Sequence, residues 1–303
     1  MRVLISGTSG MIGSAVSRLI AENGHTVSRL LRPQSRVEHK ETDVRWDPAG
    51  NHFDARAGEG ADAVVHLAGA SIGEGRWNAS RKALLRSSRV DATRQLVASL
   101  ATLSAKPKVF VCASAIGYYG DRGDEKLTDH SGPGSDFLAQ SCRDWEREAL
   151  RAGEFGARVA ILRFGIVLSI RGGALPRMLL PIKMFAGGRI GSGRQWMSWI
   201  TLADVTGMIQ FALEKKSAGG AMNAVSPNPV RNADFIRAAA RALHRPAMFP
   251  APAFALRLLL GEMADALLLS SQRVLPDKMQ SLGYTFQDPE LGAALKRVIS
   301  ERV

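Results

Sequence analysis

Along the first two thirds of the chain, apolar and polar positions switch between two periods. Short β-branched or alternating runs predict strands at residues 3–6, 26–31, 44–46, 63–67, 108–113 and 158–162. Between them, apolar residues recur every three to four positions and predict helices at 11–23, 80–103 and 136–152. Strands alternating with crossover helices imply an α/β, doubly wound parallel sheet, the Rossmann arrangement. In such sheets the ligand lies outside the carboxyl ends of the strands, near the switch in strand order. The loops after those strands are therefore where chemistry is to be sought.

After residue 162 the pattern loosens into glycine-rich loops at 171–176 and 187–196, followed by a helix at 202–215 and a strand at 221–224. Pro227, Pro229, Pro250 and Pro252 punctuate the segment beyond that strand, and a mostly helical tail runs to the end. The expected organisation is a dinucleotide-binding domain over 1–225, with substrate-side loops from about 165 to 200, and a smaller, mostly helical C-terminal lobe over 226–303.

Composition narrows the class. The 303 residues are 46% hydrophobic, enough for a sizeable core, yet no apolar run approaches the ~20 residues a bilayer-spanning helix needs. A strand that begins at Arg2 leaves no space for a leader, so a cytoplasmic protein without a membrane partner is expected. Cys112 and Cys142 are the only cysteines and neither has metal-site or CxxC spacing, so neither a disulfide nor a metal is expected. The net charge of +12, from 40 Lys+Arg against 28 Asp+Glu, is spread without a basic block or interleaved aromatics. A small-molecule partner is expected, not a nucleic acid.

The sharpest motif is GTSGMIG, from Gly7 to Gly13, placed between the first strand and the first helix. Gly7 permits the tight turn, Gly10 clears the approach to a pyrophosphate, and Gly13 lets the helix pack against the strand. Thr8, Met11 and Ile12 complete the turn, whose free helix N-terminus favours an anion. An acidic residue at the end of the second strand would favour NAD; here Arg32 stands there, with Arg29 or Arg36 as helper, and points to the 2′-phosphate of NADP.

Together with HLAGA at 66–70, CASAIGYYG at 112–120 and WITLADV at 199–205, this turn resembles the extended short-chain dehydrogenase/reductase superfamily. The resemblance implies that Leu67, Ala68 and Gly69 lie beside the adenine ribose and that Ser114 faces the nicotinamide. It also implies a Tyr-x-x-x-Lys pair, which the chain lacks: with Glu146 as the register mark, Leu138 stands at the tyrosine position and Cys142 at the lysine position. Arg89 in RVDAT replaces the usual asparagine. These replacements, with WDPAGN at 46–51, GGRIGSGRQWMSWI at 187–200 and SQRVLPDKMQSLGY at 271–284, are similar to an atypical, epimerase-like branch with a C-terminal domain of unknown function. The branch implies an oxidoreductase or epimerase acting on a small polar substrate, a nucleotide sugar being one class. A non-catalytic NADP-responsive regulator is the alternative.

The residues open to acid–base work are Ser114, Cys142, Tyr118 (or its neighbour Tyr119) and Arg89. A thiol near Arg89 or Arg143 could titrate close to neutrality, although Leu138, Cys142 and Trp145 share a helical face and a cysteine there also reads as packing. His66, at a strand end, reads as structural or ribose-adjacent. In the substrate lobe Arg163, Arg194, Gln195 and Trp196 offer cations, an amide and an aromatic plane for a phosphate or carboxylate and a ring. Asp204 reads as the cap of the helix that follows it, and the two long helices at 80–103 and 136–152 could pair in a homodimer.

Overall fold

The computed structural model describes residues 1–35 and 40–301, so Arg36 lies outside the described residues. Eight strands form the main sheet: β1 (Arg2–Ser6), β2 (Thr26–Leu31), β3 (Val44–Asp47), β4 (His52–Phe53), β5 (Ala63–His66), β6 (Val109–Ala115), β7 (Arg158–Phe164) and β8 (Gly220–Ala224). Their spatial order is β8-β7-β6-β5-β1-β2-β3-β4, all neighbours parallel except β3 and β4. The order reverses between β1 and β5, which is where a doubly wound sheet opens its ligand crevice.

The strands nearest that switch are buried on both faces, which is why they read as unbroken apolar runs: Val3, Leu4 and Ile5 of β1 and Val64 and Val65 of β5 expose nothing to solvent. Flanking them are α1 (Met11–Glu22), α2 (Ala79–Ser87), α3 (Val90–Ala101), α4 (Phe137–Leu150), α5 (Leu175–Lys183), α6 (Leu202–Glu214), α7 (Asn232–Leu243), α8 (Ala253–Leu260) and α9 (Leu291–Ser300). α3 packs beside α4, and α1 beside α6.

Two expectations need correction. The single helix over 80–103 is two, α2 and α3, broken at Ser88 and Arg89. Ser88 Oγ turns back to the Leu85 carbonyl and accepts from the Ala70 N–H, the local bonding by which serine competes with a helix. The cap of α6 is Thr201, whose Oγ1 accepts from the Asp204 N–H, not Asp204 itself. The Asp204 carboxylate instead accepts from Tyr284 Oη and from the Gln287 and Asp288 N–H groups, tying the tail to the sheet domain.

A second core collects Leu168, Leu175, Leu179, Ile182, Met197 and Trp199 with Phe235, Ile236, Leu291, Leu295 and Val298. Small strand pairs bind the substrate-side loops together: Ile166–Leu168 with Trp199–Thr201, and Trp196–Met197 with Val230–Arg231. Lys126–Leu127 pairs with Arg273–Val274, so the tail reaches the loop that follows β6. Among the described residues no helix is long and apolar enough to cross a membrane.

Candidate functional site

The crevice begins at the glycine turn. Gly7 has φ +73°, and a side chain there would meet the Leu67 carbonyl at 2.9 Å and the Ala68 nitrogen at 3.0 Å. A side chain on Gly13 would lie 2.1 Å from the Gly7 oxygen and 2.9 Å from Thr8 Cα, so α1 starts directly against the turn. Gly10 is the N-cap of α1 and has no side chain to cap it. The N–H groups of Met11, Ile12 and Gly13 are thus left to an outside acceptor, and the helix dipole favours that acceptor being an anion. The Met11 side chain lies against Gly172 and Gly173, while Ile12 packs on the core.

Behind the turn runs a directed chain of hydrogen bonds. Ser6 Oγ accepts from the Leu67 and Ala68 N–H groups, so its proton goes to His66 Nδ1 at 2.7 Å. His66 then carries its proton on Nε2 and donates to Thr93 Oγ1 at 2.9 Å, and Thr93 donates to the Arg89 carbonyl. Burial pushes the His66 imidazole down to about 4, so it is neutral near pH 7. It holds the 67–69 loop in place rather than acting as a base.

At the end of β2, Arg32 is exposed and its side chain has no hydrogen bond or ion pair among the described residues. Arg29, expected as its helper, is engaged elsewhere: its Nε donates to Asp43 Oδ1 at 2.8 Å. Burial raises the Asp43 carboxyl, but its bonds to Arg29 and the Lys40 N–H outweigh this and hold it below the usual range.

Across the crevice, β6 and β7 carry the polar centre. Ser114 and Arg163 are register partners on the two strands, and α4 brings Glu146 over both. Ser114 Oγ donates to Glu146 Oε1 at 2.6 Å; Arg163 donates from Nε to Oε1 at 2.8 Å and from a terminal nitrogen to Oε2 at 2.7 Å. The side chains of this ion pair are only 5% and 8% exposed. Burial alone would lower the Arg163 guanidinium, but its bonds to Glu146 outweigh that and raise it. Its other terminal nitrogen donates to Tyr119 Oη at 2.9 Å, and its plane sits 3.5 Å from the Tyr118 ring centre. Tyr119 also bonds Asn223 Oδ1 at 2.7 Å; burial pushes its phenol up to about 12.

This pairing corrects the expectation that Arg163 clamps a substrate: its fork is spent inside the protein. Cys142 is buried next to Ser114 and Arg89, and the activation expected from Arg89 is outweighed. Burial first, and the Glu146 carboxylate second, push the thiol up to about 12 despite Arg89. It is a protonated thiol at neutral pH. Arg89 itself is half-buried against Gly69, donates to the Leu85 and Ala70 carbonyls, and lies over the Trp145 ring. Leu138 joins an apolar wall with Ala70, Ile72, Phe137, Leu260 and Leu267.

Of the RQW segment, Arg194 is exposed and Gln195 is buried. The Gln195 amide donates to the Ile190 and Leu268 carbonyls, which corrects its expected role as a substrate contact. The Arg231 and Arg273 guanidiniums both lie over the Trp196 ring and its indole N–H donates to Asp124, which likewise corrects the role expected of Trp196 as a substrate contact. Gln272 links this segment to the loop that follows β6: its N–H donates to the Trp196 carbonyl and its amide to the Ile116 and Gly120 carbonyls.

Sequence reasoning used Glu146 only to set register and missed its place at the centre. The available signal was a carboxylate at helical spacing within the apolar stripe of Leu138, Cys142, Trp145 and Ala149. Tyr119, read as an alternative to Tyr118 for the missing phenol, is instead bonded to Arg163 and Asn223; Asn223 and Gln272 were missed, and nothing local in the sequence marks them.

The geometry has counterparts in known proteins. An epimerase family protein of Mycobacterium leprae is 42% identical over 97% of this chain and 94% of its own length. One from Bacillus subtilis is 37% identical over the whole of this chain and 99% of its own. The crystal structure of human epimerase family protein SDR39U1 (isoform 2) with NADPH superposes with a TM-score of 0.89, at 33% identity, covering 98% of this chain and 99% of that one. Residues 251–298 match a domain of unknown function, DUF1731. Residues 3–225 match the NAD dependent epimerase/dehydratase family, and the chain belongs to that family.

Proposed function

We propose that the protein is an NADP-dependent oxidoreductase of the epimerase-like kind, with the buried Ser114–Glu146–Arg163 unit serving as its proton-handling centre. The hydrogen bond from Ser114 to a carboxylate held by Arg163 carries this reading. Gly7, Thr8, Gly10, Met11, Ile12 and Gly13 would hold the pyrophosphate, Leu67, Ala68 and Gly69 the ribose side, and Arg32 the 2′-phosphate. The NADPH bound to the human relative supports the same choice of cofactor. When bound, the cofactor supplies or takes up a hydride at its nicotinamide.

The chain's own residues then move the proton. As a substrate hydroxyl is oxidised, Ser114 Oγ takes its proton while the serine proton passes to Glu146 Oε1; in the reverse direction both transfers run back and the oxygen regains its proton. Arg163 holds both oxygens of the Glu146 carboxylate in place beside Ser114. Tyr118 caps the Arg163 plane from the open side, and Tyr119, a phenol well past neutrality, orients the guanidinium. Arg89 and Cys142 position the loop and helix around Ser114 without titrating. The Leu138 wall suits a substrate with an apolar edge beside its hydroxyl or carbonyl. A nucleotide sugar draws less support, because Arg163 and Gln195 are engaged within the protein and Trp196 is taken up by Arg231, Arg273 and Asp124, leaving only Arg194 of the four to meet it. Work in the cytoplasm, where NADPH is maintained, fits this reading.

Leu138 and a protonated Cys142 in place of the usual pair favour the second reading, an NADP-responsive regulator without chemistry. Protein loaded with NADPH deuterated at the nicotinamide C4 and exposed to a small-molecule cell extract separates the two. Label in a metabolite, lost in Ser114→Ala and Glu146→Gln, supports the enzyme. No label from protein with intact NADPH binding supports the regulator.

A further inference from the structure

Eleven large apolar side chains are strongly exposed among the described residues, and eight of them fall between positions 180 and 259: Leu180, Met184, Phe185, Met248, Phe249, Phe254, Leu258 and Leu259, each more than half exposed. They form one region. The Phe249 N–H donates to the Gly187 carbonyl, the Ala251 N–H to Arg189 and the Gly191 N–H to Ala251, zipping the end of the α5 loop to the approach to α8. Arg245 lies over the Phe185 ring at 4.8 Å. Leu180 and Met184 are one turn apart along α5 and its end, and so are Phe254 and Leu258 on α8, which buries no residue at all. A soluble monomer rarely leaves so much contiguous apolar surface without a use.

Charge states what the region faces. No acidic residue occurs between Glu154 and Asp204, nor between Asp234 and Glu262. The exposed cations Lys183, Arg189, Arg241 and Arg245 therefore stand among these apolar groups without a carboxylate from their own segments; Arg257 is the exception, paired with Asp265. Apolar side chains projecting from a cationic rim are the composition of a surface that lies on an anionic bilayer, its rings and aliphatic chains at the acyl boundary and its guanidiniums among the phosphates. A second copy docked by the same face would set these cations against themselves.

We infer that this face, formed by the end of α5, the 245–252 segment and α8, docks the protein on the surface of an anionic phospholipid bilayer. The contact needs no spanning helix, but it runs against the sequence expectation of a protein without a membrane partner. The inner side of the same tail segment, Leu260 and Leu267, belongs to the apolar wall around Leu138, so docking sets the crevice close to the lipid.

The test is flotation of the full-length protein with vesicles of phosphatidylcholine containing about 30% phosphatidylglycerol, against pure phosphatidylcholine, at low and raised salt. The expected result is binding to the anionic vesicles only, weakened by salt. Loss of about tenfold in affinity is expected for the Phe254→Asp/Leu258→Asp pair and about fivefold per cation for Lys183→Ala and Arg245→Ala. All four side chains are exposed, and an unchanged melting temperature confirms that the variants fold. Failure to float with anionic vesicles overturns the inference, as does equal binding to neutral ones. A concentration-dependent dimer abolished by Phe254→Asp, without vesicle binding, would assign the face to a second copy instead.

Discussion

Replacing Glu146 by glutamine isolates the central claim about the site. The substitution keeps shape and removes charge, leaving the Arg163 guanidinium in a place where its side chain is 5% exposed. Breaking a buried pair from one side costs about 3–5 kcal/mol, because the remaining charge loses its counterion without regaining water. The glutamine oxygen still accepts one of the two Arg163 bonds, so the lower end, about 3 kcal/mol, is expected, or roughly a 150-fold fall in the folding equilibrium. Urea unfolding followed by circular dichroism reads this as a lower midpoint at unchanged slope. Adding Arg163→Met removes the stranded charge, and the double variant should recover at least half of the loss. A second readout is chemical: with one of the two causes of its raised pKa gone, the Cys142 thiol should titrate lower in Glu146→Gln than in the parent. A loss under about 1 kcal/mol, the worth of a surface ion pair, would refute the reasoning. So would a double variant as unstable as the two single losses added together.

Four further outcomes are expected. The His66 imidazole sits at about 4 in the fold against 6.5 unfolded, so its contribution is complete above pH 6.5 and is lost as pH falls towards 4; stability should drop by roughly 3 kcal/mol across that window, and His66→Gln, less stable at pH 7, should lack the drop. Gly13→Ala should raise the NADPH dissociation constant at least about tenfold and lower the melting temperature, since its new carbon would overlap the Gly7 carbonyl; near-parental fluorescence titration would contradict the packing. Arg32→Ala should cost about 10- to 100-fold in NADPH affinity while leaving NADH affinity nearly unchanged, and an equal loss for both would remove Arg32 from the 2′-phosphate. Cys142→Ala should keep NADPH binding and any labelled product within about threefold, and the native thiol should resist iodoacetamide at pH 8 until the chain unfolds; rapid alkylation of folded protein would show an activated thiolate.

The parallel sheet and the glycine turn were legible because their cause is local. β1 and β5 are buried on both faces and so read as plain apolar runs, and the positions of Gly7 and Gly13 admit no side chain. The break between α2 and α3 was missed because the apolar period continues through it; only the Ser88 bonds to Leu85 and Ala70 interrupt the helix. Glu146 and Arg163 were misjudged for a different reason. A glutamate in a helix and an arginine at a strand end each have an ordinary solvated reading, and what makes them a buried pair is the register that brings β7 beside β6 under α4. Gln195 and Asp204 failed likewise: Leu268, which Gln195 reaches besides the nearby Ile190, and residues 284–288, which Asp204 binds, lie more than seventy positions away.

The docking of Gln272 on the Ile116 and Gly120 carbonyls has a consequence in time. The loop carrying Tyr118 is made early in synthesis, but two of the bonds that fix it come from an amide about 150 residues later. A chain still leaving the ribosome can complete the nucleotide half of the crevice while the loop beyond Ser114 lacks its buttress. The two halves of the site therefore mature in sequence. A nascent or C-terminally clipped chain would thus carry a formed glycine turn before the loop beyond Ser114 is held in place.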